Sequence, residues 1–305
     1  MNKVLVTWSI AYDYIMQVDN EFKNMILPDQ IEKLNVGFVA SHMTKSDGWT
    51  AVNIAYNLWL LGCKDQTLML ASAGKDYQTD QRLSQYIDFS HIQKVADDFT
   101  ACAYVITDLK HNQIIPFYPG AMNQSDKQSL SWFTDVAYCI VAPNAKSAMM
   151  KFIQEAHDLQ IPCFFDPGQA LWLFNREELL QCLDAANYLI CNDYEFDLVL
   201  KTSWLSKEEI VKKLDKIIIT LWKDGATLLD STNEITIPWC KVEHVIDPTW
   251  AGDSFRSGLL CGLLSGKSRE ASIKMGNAVG SLVVQSMGTM NHTFTLQEIE
   301  EMVNA

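Results

Sequence analysis

Apolar runs of strand length alternate with segments of helical period almost from one end of the 305-residue chain to the other. That rhythm predicts a mostly parallel sheet covered by helices on both faces. The expected central strands are residues 4–7, 67–71, 136–141, 162–165, 188–191 and 216–221. Helices are expected between them at 50–61, 145–159, 176–183 and 207–214, and the last fifth of the chain reads as helical over 254–264, 269–285 and 296–303. Two regions break the rhythm: residues 35–40, and the pair 101–107 and 113–117 joined across 108–112. These alternate like antiparallel strands and predict a small sheet apart from the main one, suited to act as a lid over a cleft. No internal repeat or long linker interrupts the chain, so the expectation is one α/β domain over 1–305, with lid segments near 12–45 and 99–120.

With 48% hydrophobic residues the chain can bury a large core. A formal net charge of −13 argues against a general partner among nucleic acids or membrane surfaces, both polyanionic. The eight cysteines lie far apart without a CxxC pair, which reads as reduced core thiols of a cytoplasmic protein rather than a disulfide framework or a metal cluster. Neither a signal peptide nor a membrane-spanning run is evident.

The densest chemistry lies in Asp247-Pro-Thr-Trp250-Ala251-Gly252-Asp253-Ser-Phe-Arg-Ser-Gly258, followed by an apolar helix. A turn of small residues that opens a helix leaves main-chain N–H groups pointing outward, where they favour an anionic oxygen. Asp253 beside them either accepts a proton from an attacking hydroxyl or merely caps the helix.

This segment resembles the D-x-x-G-A-G-D motif of the ribokinase-like (PfkB) carbohydrate kinases. Four further motifs follow in family order: Asp47-Gly48-Trp49 with Asn53, Ala73-Gly74-Lys75-Asp76, Asn192-Asp-Tyr-Glu195, and Thr220-Leu-Trp222-Lys-Asp-Gly225. The wording of residues 48–62, 166–169 and 247–258 is most similar to the bacterial and archaeal adenosine or nucleoside kinases of that family. The resemblance implies a three-layer α/β/α fold and transfer of a phosphoryl group from ATP to a hydroxyl of a sugar or nucleoside. It implies Asp253 as catalytic base, with the amides of Ala251 and Gly252, next to Trp250, as anion hole. Asp13, Gly48 and Asn53 would bind the acceptor. Asn192, Glu195, Thr220 and Gly225 would serve ATP, with Glu195 holding Mg2+ indirectly through water. A monovalent cation (K+) near Asp247 and Thr249, and a monomer or a homodimer, are left open. Tyr12, Phe117 and Tyr118 are candidates to stack on a base, or are simply core aromatics.

The sequence departs from the family pattern in one consistent way. Tryptophan stands at family glycine positions at Trp49, Trp222 and Trp250, and also at Trp8 and at Trp204 in a loop, while 14 glycines among 305 residues fall below the usual ~7%. Two explanations stand. TGA codons read as glycine in the natural gene have been translated as tryptophan, or the chain is a degenerate relative, a non-catalytic sugar- or nucleoside-binding protein. A nicotinamide enzyme is disfavoured, because the first strand leads into Trp8-Ser-Ile-Ala rather than G-x-G-x-x-G.

Overall fold

The computed structural model describes residues 2–27, 32–47, 50–79, 81–288 and 290–304. Its strands are β1 (Lys3–Thr7), β2 (Ala11–Val18), β3 (Ala40–Asp47), β4 (Thr67–Gly74), β5 (Ile92–Val95), β6 (Ala101–Thr107), β7 (Gln113–Ile114), β8 (Phe117–Tyr118), β9 (Val136–Val141), β10 (Cys163–Phe165), β11 (Tyr188–Asn192), β12 (Lys216–Thr220), β13 (Ala226–Leu229) and β14 (Glu234–Ile237). Its helices are α1 (Phe22–Met25), α2 (Thr50–Leu60), α3 (Gln81–Ser84), α4 (Lys146–Asp158), α5 (Arg176–Ala185), α6 (Asp193–Ser203), α7 (Lys207–Val211), α8 (Ala251–Leu264), α9 (Arg269–Val283) and α10 (Leu296–Asn304).

Nine strands form the main sheet in the order β14-β13-β12-β11-β10-β9-β1-β4-β5. From β12 to β5 every pairing is parallel, and β13 and β14 extend one edge as an antiparallel pair. Both faces are buried, as a parallel sheet requires. In β1, Val4 and Val6 enter one apolar cluster with residues of α2, α8 and α9, whereas Leu5 enters the other with residues of α4, α5 and α6. The same alternation sends Tyr188 and Ile190 of β11 to the first cluster and Leu189 and Cys191 to the second. Helices α8 and α9 lie very close: a Cβ on Gly258 would come within 2.5 Å of the Met275 carbonyl oxygen.

The second sheet has the order β3-β2-β6-β7, with β8 also on β6. Its two halves meet through a parallel β2–β6 pairing, and its other pairings are antiparallel. Two expectations change here. Residues 35–39 form no strand; the strand begins at Ala40 and runs through the polar stretch to Asp47, while its partner β2 carries Asp13. The helix expected over 207–214 ends at Val211.

All eight cysteines are free and seven are buried. No helix among the described residues is long and apolar enough to cross a membrane.

Candidate active site

In a parallel sheet the strand ends that point the same way build one crevice, and ligands of open α/β sheets bind at the carboxyl ends. That edge is where the sequence motifs converge. Trp8 and Ser9 follow β1, Asn144 follows β9, Asp166 follows β10, Asn192 ends β11 and Thr220 ends β12, and all of them line one cleft of about 1470 Å3. The N-terminus of α8 enters the same cleft, which is also lined by Asp13, Glu195, Gly225, Trp250, Ala251, Gly252 and Asp253. Asn53 reaches it indirectly, as a partner of Asp253. Gly48 and Trp49 lie outside the described residues.

At the start of α8 the N-cap residue, Trp250, gives no side-chain cap. The amide of Ala251 donates to the Pro248 carbonyl at 3.2 Å. The amides of Gly252 and Asp253 find no acceptor among the described residues, so this pair, rather than Ala251 with Gly252, is free to receive an anion. Asp253 is buried and accepts one hydrogen bond through Oδ2, from Asn53 Nδ2 at 3.1 Å. Burial pushes its carboxyl up to about 7, against the opposing pull of Arg256 and Asn53. A capping aspartate would accept N–H groups of its own helix; this one points across to α2 and into the cleft. A carboxyl that titrates near neutral pH beside two free amides suits a base that takes a proton while an adjacent oxygen gains charge.

Helix α2 is tied to α8 three times, once by the Ser257 hydroxyl, which donates to the Ile54 carbonyl at 3.3 Å. Beside the Asn53–Asp253 bond, Asn57 donates to Ser254 Oγ at 3.2 Å, and Asn57 Oδ1 lies 2.7 Å from His292 Nε2. The Oδ1 of Asn53 is buried without a partner among the described residues, an acceptor facing no protein donor. Asp13 is half-buried on β2, and burial raises its carboxyl.

Asn192 and Glu195 form a reciprocal capping box at the start of α6: Asn192 Oδ1 accepts from the Glu195 amide at 2.7 Å, and Glu195 Oε2 accepts from the Asn192 amide at 2.8 Å. The motif is thus part structural, and Glu195 keeps Oε1 for other use. Burial raises the Glu195 carboxyl in spite of that amide bond. No cluster of three or more acidic, histidine or cysteine ligands occurs among the described residues. A lone half-buried carboxylate fits an ion held mainly by water and phosphate oxygens, as Mg2+ commonly is, and does not fit a protein cage. Asp247 spends Oδ1 on the Thr249 amide and Oδ2 on the Gly288 amide, both at 3.0 Å.

Thr220 and Gly225 bracket the tight turn between β12 and β13. Gly225 has φ 97°, and a Cβ there would sit 2.1 Å from the Ile237 carbonyl oxygen, so no other residue fits. Trp222 in the same turn has φ 53° and its indole is 64% exposed; Trp204, at the end of α6, has φ 59° and is 78% exposed. Trp8, buried in the core, is not among the residues with positive φ, and Trp250 has φ −100°, so the backbone at these two does not call for glycine.

The period of two sorts the aromatic candidates. Asp13 and Ile15 of β2, Ala103 and Val105 of β6, and Phe117 face the cleft. Tyr12 is buried away from it with Lys45 Nζ 3.5 Å from its ring centroid, and the hydroxyl of Tyr118 donates to Asp98 at 2.7 Å. Sequence reasoning missed the ion pair of Arg256 with Asp166, both buried and both lining the cleft. Its only sequence signals were an aspartate directly after a central strand and an arginine three residues beyond Asp253.

The chain is similar to known kinases along nearly its whole length. The profile of the pfkB family carbohydrate kinases matches residues 1–295. The nucleoside kinase of Methanocaldococcus jannaschii is 26% identical over 99% of this chain and 96% of its own length, and its crystal structure superposes with a TM-score of 0.86. The structure of the Burkholderia thailandensis nucleoside kinase in complex with inosine is 33% identical, covers 99% of this chain and 97% of the other, and gives a TM-score of 0.84. Matched along nearly its whole length, this chain belongs to the pfkB family of carbohydrate kinases and is an ATP-dependent kinase with a ribokinase-like fold.

Proposed function

We propose that the protein transfers the γ-phosphoryl group of ATP to a hydroxyl of a nucleoside or a similar ribose-type sugar. The observation that carries the reading is the start of α8, where a carboxyl titrating near pH 7 stands beside two unclaimed amides in the cleft that also holds Asp13 and Asn192. Asp253 takes the proton of the acceptor hydroxyl, and the Gly252 and Asp253 amides, at the positive end of the helix, receive charge on the moving phosphoryl group. Asn53 aims Asp253 through Nδ2 and offers its unpartnered Oδ1 to a substrate hydroxyl. Asp13 accepts from further acceptor hydroxyls, and the sheet of β2 and β6 roofs them as a lid. Thr220 and Gly225 wall the ATP side. Glu195 would hold Mg2+ through water, and the ion would neutralise phosphate charge. An acceptor bearing a base is favoured by the apolar strip of Ile15, Val105 and Phe117 above Asp13, and by the inosine complex of the Burkholderia relative.

The same proposal includes the tryptophans. Left-handed backbone at Trp204 and Trp222 supports glycine as the natural residue, because a side chain there costs about 1–2 kcal/mol, and a glycine after a helix end is what α6 calls for. Trp222 and Trp250 both line the cleft, so the chain as written turns over poorly. A non-catalytic ligand-binding protein is the second reading, favoured by those two indoles alone.

A screen with ATP and Mg2+ tests this on protein carrying glycine at 49, 222 and 250, offering adenosine, other nucleosides, ribose and fructose phosphates. Nucleoside phosphorylation, well above that of the unreverted chain, is expected. Ligand binding without product from any acceptor would favour the second reading. TGG at these codons in the gene would remove the recoding explanation.

A further inference from the structure

Arg256 stands in the first turns of α8, where a cation meets the positive end of the helix and is electrostatically out of place. It is also only 8% exposed, which adds a desolvation penalty. A buried ion pair is a weak device for stability, since apolar side chains fill such a space at less cost. The surroundings show what the charge faces. Asp166, fully buried at the carboxyl end of β10, takes the guanidinium through both oxygens, Oδ2 from Nε and Oδ1 from Nη2 at 2.6 Å. The remaining nitrogen, Nη1, lies against the turn of α8, so close that a Cβ on Gly252 would be 2.9 Å from it. The guanidinium is therefore wedged between a carboxylate and the main chain that carries the free amides.

Other charged groups line the cleft: Asp13 from β2, Glu195 and the exposed Asp193 from α6, Lys146 from α4, and Lys223 and the exposed Asp224 from the β12–β13 turn. Lys146 is occupied by Glu178 at 2.7 Å, and Lys223 is exposed on the rim. Arg256 is thus the buried cation amid three carboxylates, Asp166, Glu195 and Asp253. Burial works against its charge, yet Asp166 overrides this and holds the guanidinium above its ordinary value.

We propose that Arg256, braced by Asp166, is a positioning residue whose guanidinium sets the charge balance at the start of α8, keeping Asp253 able to ionise and the Gly252 turn open to the cleft. This rests on the kinase reading above, in which Asp253 is the base. Arg256 draws the Asp253 carboxyl down, and Asp166 pushes it up. The pair acts as a balance with two arms of opposite sign.

The test follows the Asp253 carboxyl by carbon-13 NMR across pH in the full chain, with Asp253→Asn assigning the signal. Arg256→Met is expected to move the titration midpoint up by about one unit or more; Asp166→Asn is expected to move it down; Arg256→Lys, which keeps the charge, stays near the parent. A merely structural role would let water reach Asp253 in both charge-removing variants and lower both midpoints, and that result overturns the proposal. So does an unmoved midpoint in Arg256→Met that retains the parent circular dichroism spectrum. Should Arg256→Met not fold, Arg256→Lys and Asp166→Asn decide: a midpoint in Arg256→Lys displaced upward by a unit, or one in Asp166→Asn that does not fall, is fatal. The readout needs no turnover. Failure of the substrate screen with the opposed shifts intact would count against the kinase reading and leave the balance standing.

Discussion

Two turns line the same cleft, and they are built differently. At the start of α8 each group has an assigned place: Asp253 meets Asn53, Arg256 meets Asp166, Ser254 meets Asn57, and the Gly252 and Asp253 amides are left for an anion. The turn between β12 and β13 holds an obligate glycine at 225 and, three residues earlier, an exposed tryptophan on left-handed backbone. Each turn carries a tryptophan at a family glycine position, Trp250 and Trp222, but only Trp222 stands on left-handed backbone. The hydrogen-bonded groups of the first turn are in place, and the backbone of the second, at Trp222, has the left-handed form that glycine adopts most easily.

The comparison breaks most sharply at Asp253. In protein bearing glycine at 49, 222 and 250, Asp253→Asn is expected to lower kcat by about 10² to 10⁴-fold, measured by product formation with the best nucleoside. With a carboxyl at about 7 that must be unprotonated to act, kcat/KM of the parent should fall as pH drops below 7, close to tenfold per unit. An acid limb near pH 4 would mean that the Asp253 carboxyl is solvated in the working enzyme.

Gly225→Ala comes next. At φ 97°, with the Ile237 carbonyl 2.1 Å from the new methyl group, it should destabilise by roughly 3 kcal/mol, read as a lower midpoint in urea. The tryptophans of the contrasting kind should respond with the opposite sign. Trp204→Gly and Trp222→Gly are each expected to stabilise by about 1 kcal/mol or slightly more, whereas Trp8→Gly, which empties a packed core position, should destabilise. A loss of stability on glycine at both 204 and 222 would remove the backbone argument. The smallest effect is expected at the capping box: Asn192→Ala should cost about 1 kcal/mol of stability, and any larger loss in KM for ATP would separate its cleft role from its cap.

The central parallel strands were legible because burial on both faces writes them as continuous apolar runs, and β9 falls where its pattern places it, Val136–Val141, whereas the edge strand β5, only partly buried, was not. The small sheet was legible only in part: β6 falls at Ala101–Thr107 and pairs antiparallel with β7 across residues 108–112 as its pattern places it, whereas β2 and β3 were not foreseen. One of its faces looks into the cleft and the other toward solvent, so β3, with the sequence Ala-Ser-His-Met-Thr-Lys-Ser-Asp, carries no alternation, while the apolar run before it forms no strand. Helix α6 hid behind its own motif, since Asn192 and Glu195 read as ligands before they read as a cap. The motif residues of the site were visible locally. The Asp166–Arg256 pair was not, because 90 residues separate its members and only the sheet order brings them together.

The amide links between α2 and α8 have a mechanical meaning. Strand β3 ends at Asp47 and α2 begins at Thr50, so a displacement of the small sheet reaches, within two residues of chain, the helix whose Asn53 grips Asp253. Asp13 lies on the neighbouring strand, paired with Ser46 of β3, so on the proposed reading the residue that holds the acceptor and the helix that steers the carboxylate are joined through one strand.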